Sequence, residues 1–476
     1  MIAEQSAQSS VLLTDLYQLT MLQGYFEHGM EETAVFEFFV RKLPAERNFF
    51  IAAGLEQALN FVENLRLTSE ELEWISSHSA FRPAFVRYLE KLHFTGDIHA
   101  MAEGTVFFPN EPILRVTAPL PQAQLAESRL INLLHFQTLI ASKAARSVLM
   151  APNKLLVDFG LRRAHGAEAG LLAARASYLA GFAGSATVLA APLFGIPIFG
   201  TMAHSFIQAH DQEIIAFDHF AHSLPDNVIL LIDTYDTEAA AEKVVQLAPK
   251  LEQEGIRIKG VRLDSGDLAD HAFKVRGILD RGGLKDVTIF ASGSVDEYLL
   301  EQLIQKGAPI DGFGIGTHMD TSADAPYLDC AYKLVEYAGK ARRKRSEGKV
   351  LWPGRKQVYR SYDDDGFMTG DVLTVEGDVR EGEPLIRQFM KAGRRVSAGE
   401  SLSDLRKRAL AEIKRLPRSL LTLEHAPNYS VTPSEALRKL AQQVDAAQFT
   451  NAQSAAEHET VLTSAATPKQ EKCHAI

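Results

Sequence analysis

The 476-residue chain predicts an α/β fold: an irregular α/β barrel with a second, α+β domain built from both chain ends. Three observations carry that expectation. Six short apolar runs, "KLLVDFG", "GIPIFGT", "NVILLIDT", "IKGVRLD", "DVTIFASG" and "DGFGIGT", begin near residues 154, 195, 227, 258, 286 and 311, and each is followed by a helical stretch. That recurrence is expected of parallel strands joined by helical crossovers. No glycine-rich dinucleotide fingerprint accompanies the runs, which favours a TIM-like barrel over an open doubly wound sheet. Strand-like segments also lie on both sides of the series, before residue 150 and after residue 330.

In chain order, "LLTDLYQLTMLQGYFEHG" sets Leu16, Leu19, Leu22 and Phe26 at helical spacing, with Thr14 or Asp15 available as N-cap. "TAVFEFFVRKLP" has the β-branched and aromatic composition of a strand and ends at Pro44. Polar amphipathic helices follow to about residue 92. "GDIHAMAEGTVFFPNEPILRVTAP" then reads as several short strands with Gly and Pro turns, and a long helix is expected from Gln122 to Met150. After the six βα units, "YKLVEYAG", "GKVLWPGRKQVYR" and "DVLTVEG" read as strands separated by charged turns such as "GKARRKRSEGK". A charged helix near residues 401–415 completes the ordered part. The expected organisation is an N-terminal α+β portion with its connecting helix (1–150), the barrel carrying the site (151–330), a C-terminal portion rejoining the N-terminal domain (331–445) and a disordered polar tail (446–476).

Composition bounds the function. Hydrophobic residues make up 46% of the chain and charged residues 23%, the balance of a globular protein with a large core. The formal net charge is −10, so nothing overall points to nucleic acid or an anionic membrane surface. An anionic ligand must therefore be met by local Arg and Lys. The two cysteines, Cys330 and Cys473, are far apart and form neither a disulfide framework nor a zinc spacing, and a reducing cytoplasm is the expected compartment. No basic-then-apolar leader is visible and no apolar run is long enough to span a bilayer, so neither a signal peptide nor a membrane partner is expected.

Polar residues in the βα region cluster just after the apolar runs, which in a parallel fold is the carboxyl edge where sites form. "DFGLRRAHG" offers the flat face of Phe159 and the adjacent cations Arg162 and Arg163. A guanidinium pair suits carboxylate or phosphate oxygens, although a salt-bridged surface turn explains it equally well. In "VRLDSGDL", Arg262 can face an anion while Asp264 accepts from a sugar diol or helps hold a metal; Ser265 or Asp267 can cap the next helix. In "ASGSVDE", Gly293 lets backbone amides approach a ligand. In "GFGIGTH", Gly316 and Thr317 form a glycine-rich turn suited to phosphate. His204 stands in "FGTMAHSF" beside Thr201 and Ser205. An anion clamp, a carboxylate, a phosphate cradle and a lone imidazole together make chemistry for a phosphorylated sugar.

With "LLTDLYQLTMLQGYF", "FQTLIASKAAR", "DFGLRRAHG", "GIPIFGTMAHSF", "VRLDSGDL", "ASGSVDEY", "FGIGT", "YKLVEYAG" and "PGRKQVYR" in this order, roughly residues 11–400 resemble the nicotinate phosphoribosyltransferase family. The resemblance implies formation of nicotinate mononucleotide and pyrophosphate from nicotinate and phosphoribosyl pyrophosphate in NAD biosynthesis, coupled to hydrolysis of ATP with Mg2+. It implies a homodimer with shared sites. His204 matches the histidine that ATP phosphorylates, Thr201 and Arg262 match nicotinate contacts, and Asp264 matches a carboxylate near the ribose hydroxyls. Phe159 matches an aromatic on one face of nicotinate, and Tyr17 one on the other face, donated by the neighbouring subunit. Gly316 and Thr317 match the phosphate turn, with Arg162 near the phosphates; Ser265 and Gly293 are expected beside the substrate, and metal ligands are not indicated.

Two rivals are weighed against this. A nicotinamide phosphoribosyltransferase is expected to read the amide with an aspartate, whereas "GFAGSATVLAAPLFG" before His204 has no acid. A non-catalytic metabolite-binding relative has no need to keep both His204 and the sugar-site residues. A Schiff-base role for Lys259 has no supporting motif.

Overall fold

The computed structural model describes residues 9–344 and 351–447. Two units share the chain. The first is built on a seven-stranded sheet ordered Lys340–Ala341, Cys330–Tyr337, Thr33–Val40, Pro112–Pro119, Asp97–Met101, Ile386–Lys391 and Arg394–Arg395. Thr33–Val40 lies at its centre, antiparallel to both neighbours, and is buried along all but its first residue. "TAVFEFFV" suits such a position because β-branched and aromatic side chains pack on both faces of a pleated strand. Cys330–Tyr337 and Ile386–Lys391 come from beyond the parallel series, so both chain ends build this sheet.

The second unit is a six-stranded parallel sheet ordered Gly184–Ser185, Leu155–Asp158, Gly312–Ile315, Thr288–Ala291, Ile258–Leu263 and Val228–Leu231. All its pairings are parallel. It is a half-barrel. Aspartates cap the crossover helices after three of the strands, accepting from backbone amides at their first turns: Asp236 for Thr237–Gln253, Asp267 for Leu268–Arg281 and Asp296 for Glu297–Gln305. A third sheet, Glu383–Pro384, Lys356–Tyr362, Met368–Val375 and Val431–Pro433, lies in the C-terminal region.

The helix Glu127–Met150 bridges the two units. Leu130, Leu134 and Leu139 belong to the core of the first, and Ile140, Ala141, Ala144 and Ala145 to the core of the second. Its buried cations also brace the site. Lys143 Nζ lies 2.7 Å from Glu297 and 2.9 Å from Asp324, and Arg146 Nε donates to Glu297 at 2.9 Å. Glu297 opens the helix that follows the "ASGSVD" turn, so "FQTLIASKAAR" anchors a site loop from behind.

Three expectations are corrected. "GIPIFGT" forms no strand; the sixth strand is the two-residue Gly184–Ser185, and Ile198 meets it through a single bridge to Ser185. The expected long helix from Gln122 is two helices, Leu120–Leu125 and Glu127–Met150, joined at Ala126. Asp15 occupies the N-cap of Leu16–Glu27 without bonding its amides, because its carboxylate accepts from Ser128 Oγ at 2.7 Å instead. The expected tail, 446–476, lies almost wholly outside the described residues.

Arg360 is fully buried, with Nη2 donating to Asp371 (2.6 Å) and Nη1 to Val106 O (2.8 Å) and Glu412 (3.1 Å). Arg360→Ala is expected to destabilise the protein by about 3–5 kcal/mol, because it strands buried carboxylates. Urea unfolding measures this; an unchanged midpoint refutes it.

Candidate active site

Parallel strands deliver their carboxyl ends to one edge, and the polar residues collect there. Alternation along Ile258–Leu263 sends Val261 and Leu263 into the core and leaves Arg262 facing the other side. Arg262 is the hub of the edge. Its Nε donates to Ser292 Oγ (2.8 Å), Nη2 to Asp264 Oδ1 (2.9 Å), and Nη1 to Met202 O (3.3 Å) and Thr201 Oγ1 (3.4 Å). The guanidinium also lies 5.4 Å from the centre of the Phe159 ring. Four of the expected residues, Phe159, Thr201, Arg262 and Asp264, are thus brought together at one edge.

Asp264 links this hub to the histidine. Burial works to raise its carboxyl, but the Ser292 hydrogen bond and the charges of Arg262 and His204 outweigh it, and the group sits below the usual aspartate range. His204 opens the helix His204–Gln208, after Ala203 in extended conformation. Its Nδ1 lies 3.1 Å from Thr234 Oγ1, and its Nε2 lies 3.7 Å from Asp264 Oδ2. The imidazole is 38% exposed, so the ring is positioned by the protein yet reachable from solvent.

The remaining expected residues divide. In "DSGD" the two carboxylates separate: Asp264 faces the site and Asp267 caps the helix. Ser265 does not cap; its Oγ donates to Asp233 Oδ2 at 2.6 Å. Gly293 has φ +92°, and a Cβ there would lie 1.9 Å from Asp264 O, so only glycine lets its turn close on Asp264. Gly316 is the N-cap of the short helix Thr317–Asp320. Arg162 lies on the exposed turn Leu161–Arg163, close to Phe159 in the chain. Tyr17 is 46% exposed on Leu16–Glu27, and Glu127, Asp15, Gln18 and Ser128 act on its phenol.

Three residues that sequence reasoning did not single out complete the constellation. Asp233 Oδ2 accepts from Asp264 N at 2.9 Å as well as from Ser265, while its buried Oδ1 meets no donor among the described residues. Thr234 holds His204, and Ser292 holds Arg262. Asp233 had a signal, since it follows "NVILLI" as Asp264 follows "GVRL". A cavity of about 530 Å³ opens beside Asp264 and Gly293, with Lys306 on its wall. Among the described residues no cluster of three or more His, Cys, Asp or Glu forms a metal cage, and no helix is long and apolar enough to cross a membrane.

Comparisons with known proteins follow the same lines. Family models described as the nicotinate phosphoribosyltransferase N-terminal domain, the nicotinate phosphoribosyltransferase family and its C-terminal domain match residues 12–135, 155–345 and 376–441. The chain is 46% identical over 414 residues to nicotinate phosphoribosyltransferase pncB2 of Mycobacterium tuberculosis, covering 87% of this chain and 89% of that one. It is 38% identical over 387 residues to the Bacillus subtilis nicotinate phosphoribosyltransferase, covering 79% of each. The crystal structure of human nicotinic acid phosphoribosyltransferase superposes with a TM-score of 0.82 at 30% identity, covering 91% of this chain and all of that one.

Proposed function

Because the chain belongs to the nicotinate phosphoribosyltransferase family, we propose that it forms nicotinate mononucleotide and pyrophosphate from nicotinate and phosphoribosyl pyrophosphate, with ATP hydrolysis coupled through a phosphohistidine at His204. The observation that carries this reading is the Arg262 hub, which joins an aromatic face, a hydroxyl and a ribose-side carboxylate in one place. A pyridine ring on Phe159 presents its carboxylate to Arg262 and Thr201. Its nitrogen attacks the anomeric carbon as the bond from that carbon to the pyrophosphate oxygen breaks. The ring nitrogen carries no proton, so no base is needed, and the protein acts by positioning and electrostatics. Asp264, held ionised, accepts from the ribose hydroxyls and stabilises the positive charge that develops on the sugar. Gly316, Thr317 and Arg162 receive the 5′-phosphate, and the cavity beside Asp264 and Gly293 has room for a ribosyl phosphate.

In the coupled half-reaction, an Nδ1–H donated to Thr234 leaves the Nε2 lone pair free to attack the γ-phosphorus of ATP, and ADP departs. Water later releases the phosphate. The 3.7 Å between Nε2 and Asp264 lets the phosphoryl state of His204 be felt at the ribose site. The hard oxygens of Asp233 and Asp264 suit Mg2+ held mainly by substrate phosphates, where it would neutralise diphosphate charge. Substrates of this kind suit a cytoplasmic enzyme of NAD biosynthesis.

The test gives purified protein phosphoribosyl pyrophosphate and Mg2+ with nicotinate or nicotinamide, with and without ATP. Mononucleotide from nicotinate, increased by ATP, is expected; product from nicotinamide alone overturns the reading. Tyr17 is exposed, and none of the Arg262 hydrogen bonds reaches its helix, which supports a site completed by a second copy. Tyr17→Ala and His204→Asn subunits, each impaired alone, are therefore expected to regain ATP-coupled activity when mixed, since one site of the heterodimer holds both intact residues. Verified heterodimers without any gain rule out the shared site.

A further inference from the structure

Asp158 and Asp320 lie behind the site, and the mechanism uses neither. Both are buried, at 0% and 1% exposure. They close around one residue. Gly160 N donates to Asp158 Oδ1 at 2.8 Å, and a Cβ on Gly160 would fall 2.1 Å from the Asp320 carboxyl carbon. Asp158 Oδ2 accepts from Ser185 Oγ at 2.6 Å. Among the described residues, the Asp320 carboxyl takes no donor from the backbone or from any neutral or cationic side chain: both of its oxygens are buried and unmatched. A buried carboxylate with no donor, set against a second carboxylate, is the costliest arrangement of these atoms, and a single proton resolves it.

We propose that Asp320 is protonated and donates a hydrogen bond to ionised Asp158, and that this buried acid pair is a positioning device for the reaction, tying the nicotinate-facing loop to the phosphate-facing turn. The connectivity gives it that reach. Phe159 follows Asp158 directly and bonds across to Ile315 O at 2.8 Å; Gly316 and Thr317 lie in the turn that ends at Asp320. Ser185 carries the bridge to Ile198, which leads to Thr201 and His204. One proton therefore sits where three segments of the site converge.

No cation among the described residues relieves the pair. The helix of Asp320 packs against Glu127–Met150, Ala167–Ala180 and the Leu161–Arg163 turn. There Lys143 is committed to Glu297 and Asp324, Arg175 to Glu103 and Glu168 to Arg129, while Arg162 and Arg163 are exposed. His318 on the same helix faces Asp296. Burial, then the charge of Asp158, pushes the Asp320 carboxyl well above the usual aspartate range. The folded chain thus holds a proton that the unfolded chain releases. Stability from this group is complete below the ordinary aspartate range and declines as pH rises toward the folded value.

The inference rests on the proposed reaction for its meaning and is tested independently of it. Infrared spectra of protein carrying 13C-labelled aspartate are expected to show an isotope-sensitive protonated-carboxyl band at neutral pH that Asp320→Asn removes. The label excludes buried glutamates such as Glu111, whose carboxyl burial and Asp371 push up. The side-chain amide of Asp320→Asn donates the bond without a titratable proton, so the variant is expected to keep neutral-pH rates within a few-fold. It should also lose the fall in Tm expected of the native chain as pH rises above the ordinary aspartate range, and the rise in KM for both substrates expected once Asp320 gives up its proton. A native protein with no such band, or a band undiminished in Asp320→Asn, overturns the pair. Identical pH profiles in the two proteins overturn its positioning role. A band without any transferase activity instead counts against the proposed reaction and leaves the pair standing.

Discussion

Incubated with labelled ATP and Mg2+, the protein is expected to take up an acid-labile, base-stable phosphate, and His204→Asn is expected to take up none. An amide is not a nucleophile toward phosphorus, whereas a partly exposed imidazole with Nδ1 tied to Thr234 and Nε2 carrying the lone pair is well set for it. The same variant should lose ATPase activity and ATP stimulation. Sugar transfer should persist slowly, because Arg262, Asp264 and the phosphate turn remain. That dissociation separates a phosphoryl carrier from a structural histidine, whose replacement would depress stability and both activities together. Label retained in folded His204→Asn would place the phosphate on another residue.

Arg262→Ala is expected to lower nicotinate kcat/KM by about ten- to a hundredfold, the equivalent of losing one charge-assisted bond of roughly 1.5–3 kcal/mol. The change also acts on Asp264. Removing the guanidinium withdraws one of the influences that hold this carboxyl low, so its pKa rises. Activity that needs the carboxylate then fails at a higher pH, and the acid limb of kcat/KM should move upward. Arg262→Lys keeps the charge but not the four-way hydrogen bonding, and it should restore the acid limb more fully than nicotinate affinity. Nicotinate kinetics and an acid limb both unchanged in folded Arg262→Ala would remove this residue from the site.

The parallel series was legible because each buried strand is a short apolar run with its polar residues at one end, and five of the six runs form strands. The sixth failed for a physical reason. Gly184–Ser185 is two small residues inside "GFAGSATV", and its strand character comes from pairing with Val157 and Asp158 rather than from its own composition. Asp233 and Ser292 were hidden differently. Each lies in a stretch already read as a strand end, and its importance comes from the partner it holds.

The order of the motifs and the alternation of apolar runs, both local properties, were enough to determine the family, the α/β class and most of the residues at the carboxyl edge. Tertiary structure alone decided which carboxylate of "DSGD" faces the site and which caps a helix, that Lys143 and Arg146 brace a loop from behind, and that Asp158 meets Asp320 across Gly160. Those outcomes depend on strand register and on burial. Both are set by contacts between segments far apart in the chain, and a linear pattern carries no record of which segments will meet.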